Sequence, residues 1–436
     1  MNEYVFRMTQ TQLEIVAGRM AGNDPDILIH IPCGTGMAVW NSGATRRSWS
    51  FRSFGAEISI EDVETLRSLS DSPGCIFARD KAVLDRIAFD TGSTLWAYLT
   101  DEGPTVFHYQ NGRLIPVNVC CVVGHDLFFR FDGQDPMTGT EKVSSELFER
   151  TLQAFGRGTT HYLSNLTVGI AGVSGTGSIV AEQLMRLGVK RLVLVDDDVV
   201  EVRNLGRILN STVMDAQAGT NKAIMMKRAF ESIGLPTEVI AVPEVIHTPE
   251  AIHPLSQCDI LFGCLDSADG RMQLNRVSTF YTIPYIDLGV RLKADCGRFE
   301  EISGAIRYIR PGGASLYSMG AYTLDSLTSD SLRRNDPELY RARLKEKYIE
   351  GASEGSPAVI SVNMQVASLG VMELLNRLHP FRATLNRETE VINIDMCEPA
   401  ILSPSRPKPP DKSLEKYVGT GDCLPLLGLV TCGREI

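Results

Sequence analysis

Between residues 166 and 288 the apolar positions follow two periods in turn. Short apolar runs at 166–172, 191–196, 237–242, 259–264 and 284–288 predict strands. The stretches 177–187, near 219–232 and 270–281 carry apolar residues at helical spacing. Strands that alternate with helices predict a mostly parallel sheet covered on both faces. Further strands are expected at 304–310 and 391–395, with an apolar helix at 358–378. The first third of the chain reads differently. It has short apolar runs at 27–31, 84–88, 94–99 and 116–123, and a helical stretch near 60–69. The predicted fold class is therefore α/β: a Rossmann-like, mostly parallel sheet domain over 146–400 with a smaller α+β domain over 1–140.

The joints between these parts are also legible. FDGQDPMTGTEKVSS, 131–145, is polar and turn-rich and reads as a linker. LFERTLQAFGRG, 146–157, reads as a helix leading into the central domain. From Pro311 to about Gly355 the chain is rich in Gly, Ser and charge, and is expected to make a long excursion over the active face. A proline-rich C-terminal tail covers 401–436. Its SPSRPKPPDK segment reads as extended and unpacked, while CLPLLGLV is apolar enough to dock.

Composition narrows the class. At 436 residues the chain is too long for one core. Its 43 basic and 53 acidic residues give a net charge of −10, which argues against a nucleic-acid surface or an anionic membrane as partner. The ten cysteines show no disulfide framework, and the adjacent pair Cys120–Cys121 makes none. No signal peptide or membrane-spanning run is seen. A reducing, cytoplasmic setting is expected.

The chemistry begins at VGIAGVSGTGSIVAEQLMRLGVKRLVLVDDDVVEVRNLGR, 168–207. A strand leads into a turn with Gly172, Gly175 and Gly177, and a helix follows. Gly172 permits the tight turn, Gly175 lets backbone approach phosphate, and Gly177 lets the helix pack on the strand. The helix N-terminus offers free N–H groups and a positive dipole end. Asp196 follows at the distance where a carboxylate accepts from ribose hydroxyls. The plain alternative is a glycine-rich turn in an ordinary α/β domain.

Beyond the turn lie Asn204, Arg207, Lys222 at a helix start, and Asp266 at the end of ILFGCLD, with Arg271 and Asn275 on the next helix. Ligands of open parallel sheets bind at the carboxyl ends of strands, where Asp196 and Asp266 can face one pocket. An acid, an amide and two cations around a phosphate cradle suit adenylyl transfer. A carboxylate attacks the α-phosphate of ATP, Arg and Lys stabilise the growing charge, and an Asp holds Mg²⁺. Singly, Arg207 and Lys222 read as surface charges and Asp266 as a helix cap. Their joint spacing is what singles them out.

These motifs resemble the ubiquitin-activating-enzyme-like superfamily, the ThiF/MoeB/HesA fold, over about 146–397. The resemblance is carried by GVSGTGS, DDDVVEVRNLGR, the GTNK lysine and CLDSADGRMQLN, with Ser174 where the family often has Gly. It implies that Asp196 binds ribose with Asp198 beside it. It further implies that Asn204, Arg207 and Lys222 contact the triphosphate and that Asp266 coordinates Mg²⁺. FERTLQAFG resembles the family's first helix, whose Arg reaches into a partner subunit's ATP site. That makes Arg150 a candidate catalytic residue in trans and implies a homodimer, although the family more often has Tyr-x-Arg-Gln there. A solvated helix residue is the plain reading of Arg150.

The chain also departs from the pattern. Ser315 and Ser318 stand where many relatives carry the first of two Cys-x-x-Cys pairs, and Cys397 lacks its mate, so no zinc site is expected. Residues 304–395 contain no cysteine to take up an activated acyl group, and Cys296 is the nearest. Either the chain only adenylates, or a hydroxyl of Ser315, Ser318, Ser353 or Ser356 accepts the acyl group. In the first domain, YVFRMTQTQLEIVAG and FRSFGAEISIEDVETL are similar to JAB/MPN isopeptidase-like domains, yet His30, His108 and His125 are isolated. That points to a degenerate copy that binds a partner.

The expected function is an activating enzyme. It adenylates the C-terminal carboxylate of a ubiquitin-like or sulfur-carrier protein with Mg-ATP and passes the acyl group onward, with a conjugating-enzyme-like protein as a further partner. Two rivals remain: an NAD-dependent oxidoreductase on the same fold, and a scaffold without chemistry.

Overall fold

The structure is a computed structural model that describes residues 3–22, 27–39, 45–52, 57–59, 73–89, 94–101, 103–133, 146–295, 298–345, 359–398 and 402–426. The helix expected near 60–69, most of the 131–145 linker, Cys296, Ser353 and Ser356 lie outside these residues.

The central sheet runs β13-β12-β11-β14-β15-β16-β17-β18. Its strands are β11 (Thr167–Ala171), β12 (Arg191–Val195), β13 (Glu238–Val242), β14 (Ile260–Gly263), β15 (Tyr285–Asp295), β16 (Arg298–Ile309), β17 (Val391–Asp395) and β18 (Leu402–Ser405). The first five pair in parallel and the last three add antiparallel. The chain starts in the middle at β11, builds outward through β12 and β13, then returns to β14. The break between β11 and β14 is the switch point where a doubly wound sheet opens a crevice. Both faces are buried, as parallel strands require. Val168, Ile170 and Phe262 face the core shared with helices Gly175–Arg186, Lys222–Ile233 and Ile360–Leu378. Val193, Val195 and Leu261 face the core under helices Pro249–Ser256 and Ala268–Phe280.

The N-terminal sheet runs β10-β9-β1-β3-β2-β5-β6-β7-β8, with β4 beside β2. Its strands are β1 (Glu3–Thr9), β2 (Ile27–Val39), β3 (Thr45–Phe51), β4 (Glu57–Ser59), β5 (Gly74–Ala78), β6 (Thr94–Thr100), β7 (Gly103–Gln110), β8 (Arg113–Pro116), β9 (Val119–Val123) and β10 (Leu127–Phe131). This sheet does not stand apart. Val5, Cys121 and Phe129 from one of its faces join Leu163, Val168 and Leu374 in one core, while Phe6, Met8 and Val122 face a core of their own. Charge crosses the junction too. Arg46 lies 2.7 Å from Asp259, both fully buried, and Arg7 donates to the carbonyls of Ser256 and Cys258 at 3.0 Å each.

Two expectations need correction. The helix expected at 146–157 runs Glu149–Asn165 and breaks at Gly156, whose φ is +77°. The excursion after Pro311 contains helices Leu324–Asn335 and Pro337–Lys345. Thr323 caps the first by accepting the Ser326 N–H, a local signal hidden by the surrounding charge. The proline-rich tail packs. Its first residues form β18, the antiparallel partner of β17, and the Asp411 N–H donates to Gly313 O at 3.0 Å. Pro suits an edge strand with nothing beyond it to pair. Of the apolar end, Leu424 and Leu426 pack in the core under helix Ala268–Phe280, and the residues after 426 lie outside the described residues.

Candidate active site

The glycine turn sits at the β11/β14 switch point. Gly172 has φ +85°, and a Cβ there would lie 2.6 Å from the Cys264 carbonyl oxygen at the end of β14. A Cβ on Gly177 would lie 1.8 Å from Gly172 O, so the helix approaches the strand only without one. Gly175 meets a different neighbour. Its Cβ would fall 2.1 Å from Asn363 Nδ2, on the helix Ile360–Leu378. Ser174 precedes the helix Gly175–Arg186 and makes no side-chain cap, which leaves the first N–H groups for an anion.

Asp196 stands at the end of β12 and holds this turn from below. Its Oδ2 accepts the Val173 N–H at 2.6 Å and its Oδ1 accepts the Asp198 N–H at 3.0 Å. Burial pushes its carboxyl up to about 6 against the pull of Lys222. The ribose role expected for Asp196 thus shares its oxygens with the backbone of the turn. Asn221 caps the helix Lys222–Ile233 by accepting the Ala223 N–H, and its Nδ2 donates to the carbonyls of Asp196 and Asp198. That anchors Lys222, whose Nζ donates to Asp198 Oδ2 at 2.6 Å and lies 3.9 Å from Asp196 Oδ1. Asn204 is buried in a short turn, its Oδ1 accepting the Glu201 N–H at 3.1 Å.

Arg207 differs from these braced residues. It is half-buried, its Cδ lies 3.5 Å from the Cβ position of Gly175, and its Nε is buried with no hydrogen-bond partner among the described residues. A desolvated guanidinium N–H beside open helix N–H groups is an incomplete anion site.

Asp266 follows β14 and is exposed. Burial pushes the Asp197 carboxyl up, and repulsion from Asp198 and Asp266 adds to it, so these acids share one field. Among the described residues no three His, Cys, Asp or Glu side chains converge as a metal cage. An oxygen-only pair of acids suits Mg²⁺, which keeps its waters and takes its other ligands from phosphate. The next helix supports this region. Ser267 caps it, Asp330 Oδ2 accepts the Ala268 N–H at 2.6 Å, and Arg334 Nε donates to Asp269 Oδ2 at 2.8 Å. The excursion helix Leu324–Asn335 is thereby fastened next to Asp266. Arg271 is spent on Leu265 O and Asp287, and Asn275 accepts the Leu316 N–H, so both support the frame.

Other expected residues lie elsewhere. Arg150 is exposed on its helix and donates to Gln153 Oε1 at 3.1 Å. Ser315 is buried and donates to Asp411 Oδ2 at 2.5 Å, while Ser318 is exposed and donates to Ser315 O. His30 is buried in β2, His108 stacks on Tyr4 at 4.1 Å, and burial with Arg310 and Arg377 pushes His125 down to about 4. No helix among the described residues is long and apolar enough to cross a membrane.

The strand order, the turn and the acids after β12 and β14 now stand together. The sequence model of the ThiF family matches residues 148–413. The chain belongs to the ThiF family. This ThiF-family chain is 27% identical over 164 residues to ubiquitin-like modifier-activating enzyme 5 of Drosophila willistoni, covering 35% of itself and 38% of that protein. It is 32% identical over 156 residues to the tRNA threonylcarbamoyladenosine dehydratase of Bacillus subtilis (strain 168), covering 35% of itself and 60% of that protein. It therefore spans 38% and 60% of the lengths of these two curated relatives. Among solved structures, Escherichia coli MccB with ATP aligns at TM-score 0.45 and 19% identity, over 61% of this chain and 73% of that one.

Sequence reasoning missed Asn221 and Asp197 beside the turn, and the packing of Asn363 against Gly175. Asn221 had a local signal, an Asn directly before a helix. Asn363 had none, because its neighbour Gly175 is far away in sequence.

Proposed function

We propose that the chain binds Mg-ATP at the glycine turn and adenylates the C-terminal carboxylate of a protein or peptide, releasing pyrophosphate. The observation that carries this reading is Arg207, whose buried, unpartnered Nε stands beside the uncapped start of helix Gly175–Arg186. Triphosphate supplies the anion that this arrangement lacks. Asp266, with Asp197 close by, would hold Mg²⁺, which neutralises charge on the phosphates when bound. Lys222 and Arg207 stabilise charge as pyrophosphate leaves. Asp196, through Val173, keeps the turn in shape. The acceptor class proposed is a ubiquitin-like or sulfur-carrier protein, and the assembly a homodimer in which Arg150 reaches the partner's site. The exposure of Arg150 leaves it available for that role. Ser315 does not serve as an acyl acceptor in this scheme, since its hydroxyl is buried against Asp411.

Pyrophosphate–ATP exchange tests this reading, with candidate carrier proteins added and Asp266→Ala as control. Exchange that needs both a carrier and Asp266 is the expected result. Absence of exchange together with tight NAD binding sinks it in favour of an oxidoreductase.

A further inference from the structure

Two guanidiniums converge on one glycine of β15. A Cβ on Gly289 would lie 3.2 Å from Arg307 Nη1, and 3.4 and 3.6 Å from Arg271 Nη2 and Nη1. The missing side chain leaves a niche with cationic walls. Gly289 is half-buried, while only 12% of each arginine side chain is exposed. One acid serves both cations. Arg307 faces Asp287 across the β15–β16 ladder and donates from Nη1 to its Oδ2 at 3.0 Å, and Arg271 Nη1 lies 3.4 Å from the same oxygen. The other oxygen, Oδ1, accepts from the Tyr285 hydroxyl at 3.0 Å. Among the described residues no second carboxylate pairs with either arginine. Two nearly buried cations against one buried carboxylate leave positive charge in excess, which is costly until an anion joins it. Arg307 also keeps a donor, since its buried Nε has no hydrogen-bond partner among the described residues. The niche stands beside the candidate metal acid. Gly263 of β14 pairs with Asp287, and Arg271 Nε donates at 2.9 Å to the carbonyl of Leu265, the residue before Asp266.

We propose that this niche docks the terminal carboxylate of the acyl substrate, with Arg307 as its principal contact and Arg271 bracing the other wall. The inference deepens the adenylation reading and rests on it. A carboxylate fits the space of one small side chain, brings the missing charge and matches a guanidinium fork. It also separates the two substrates. Arg207 and Lys222 serve the triphosphate after β12, and Arg307 serves the carboxylate over β15.

The test uses acetylglycine as the carboxylate probe and acetylglycinamide as its neutral twin, each titrated by saturation-transfer NMR into the full chain without nucleotide. The chain is expected to bind acetylglycine at least tenfold more tightly than the amide. Arg307→Gln should lose about tenfold of that affinity, and Arg307→Lys should regain part of it. Gly289→Ala keeps every charge and fills the niche, so it should abolish acetylglycine binding at an unchanged melting temperature. Gly289→Asp brings a carboxylate of its own, so it should abolish binding and raise the melting temperature. Equal binding of acid and amide, or undiminished acetylglycine binding in Gly289→Ala, overturns the proposal. So does a lowered melting temperature in Gly289→Asp, which shows that the charge was already balanced. ATP binding, measured separately by calorimetry, keeps the two readings apart. A chain that binds ATP but not acetylglycine loses only the niche, and one that binds acetylglycine but not ATP loses the adenylation reading.

Discussion

Asp196 Oδ2 accepts the Val173 N–H at 2.6 Å, so a carboxylate at the end of one strand fixes the turn that follows its neighbour. This buried acid is held up to about 6, mainly by desolvation. Its folded value lies above its unfolded one of 3.8, so between them the native state binds more protons. The contribution to stability is full below about pH 4 and is lost as the pH rises through about 6, amounting to about 3 kcal/mol. Asp196→Asn does not titrate. Its melting temperature relative to the unaltered chain should therefore rise between pH 4.5 and 7.5. A difference that stays flat across that range sinks the assignment.

Lys222 sets where that transition falls. Its Nζ lies 3.9 Å from Asp196 Oδ1 and opposes the effect of burial. Lys222→Met removes the opposing charge, so the Asp196 transition should move above pH 6. The same pH series, run with Lys222→Met alone and combined with Asp196→Asn, reads this out. A midpoint that stays in place means Lys222 answers only to Asp198.

Arg207 should behave in the opposite way to a structural residue. Among the described residues its buried Nε has no hydrogen-bond partner, so Arg207→Ala breaks no bond at that atom. The melting temperature should hold or rise slightly, while kcat/KM for pyrophosphate–ATP exchange falls by about 10²-fold. Arg207→Lys should restore part of the rate, because it returns the charge but not the fork. Loss of stability without loss of exchange contradicts the role given to it.

The turn and the parallel sheet were readable because their causes are local: apolar runs with one period, a glycine pattern, an acid at a fixed offset. Gly172, Gly177, Asp196 and Lys222 meet at one crevice for those reasons. What escaped was long-range. Asn363 reaches Gly175 from a helix nearly two hundred residues away, and Asp411 reaches Ser315 from the tail. The tail read as unpacked because proline and charge hide a strand that pairs along one edge only. Even Gly175 was recognised for one reason, phosphate approach, while its tightest neighbour is an amide.

The two sheets should unfold together. Asp259 accepts from Arg46 of the N-terminal sheet at 2.7 Å and from the Thr167 N–H of the central sheet at 2.8 Å, and its pull on Arg7 partly offsets the burial of that guanidinium. Asp259→Ala removes the nearer counter-charge of buried Arg46, which keeps Glu3 at 3.6 Å, and the charge that opposes the burial of Arg7, which costs about 3 kcal/mol. Urea denaturation followed by fluorescence and by circular dichroism should show one shared transition, moved to lower urea in the variant. Two separate transitions in the unaltered chain contradict the common core.

The Ser315–Asp411 contact separates a nucleophile from a fastening. Asp411 accepts from Ser315 Oγ at 2.5 Å and from the Ser413 N–H and hydroxyl, and its own N–H donates to Gly313 O. These bonds pin the loop after β16 under the tail, and Tyr417 stacking on Phe280 at 5.1 Å extends the seam. The Ser315 hydroxyl is buried and its proton is held by Asp411. Ser315→Ala should therefore retain adenylation and acyl transfer while hydrogen exchange across 311–322 quickens, with a stability loss of about 1–2 kcal/mol. Asp411→Ala should do the same more strongly, because it removes every one of the carboxylate's bonds. If Ser315→Ala instead exchanges pyrophosphate normally but no longer passes the acyl group on, the contact is a latent acceptor site and the fastening role fails.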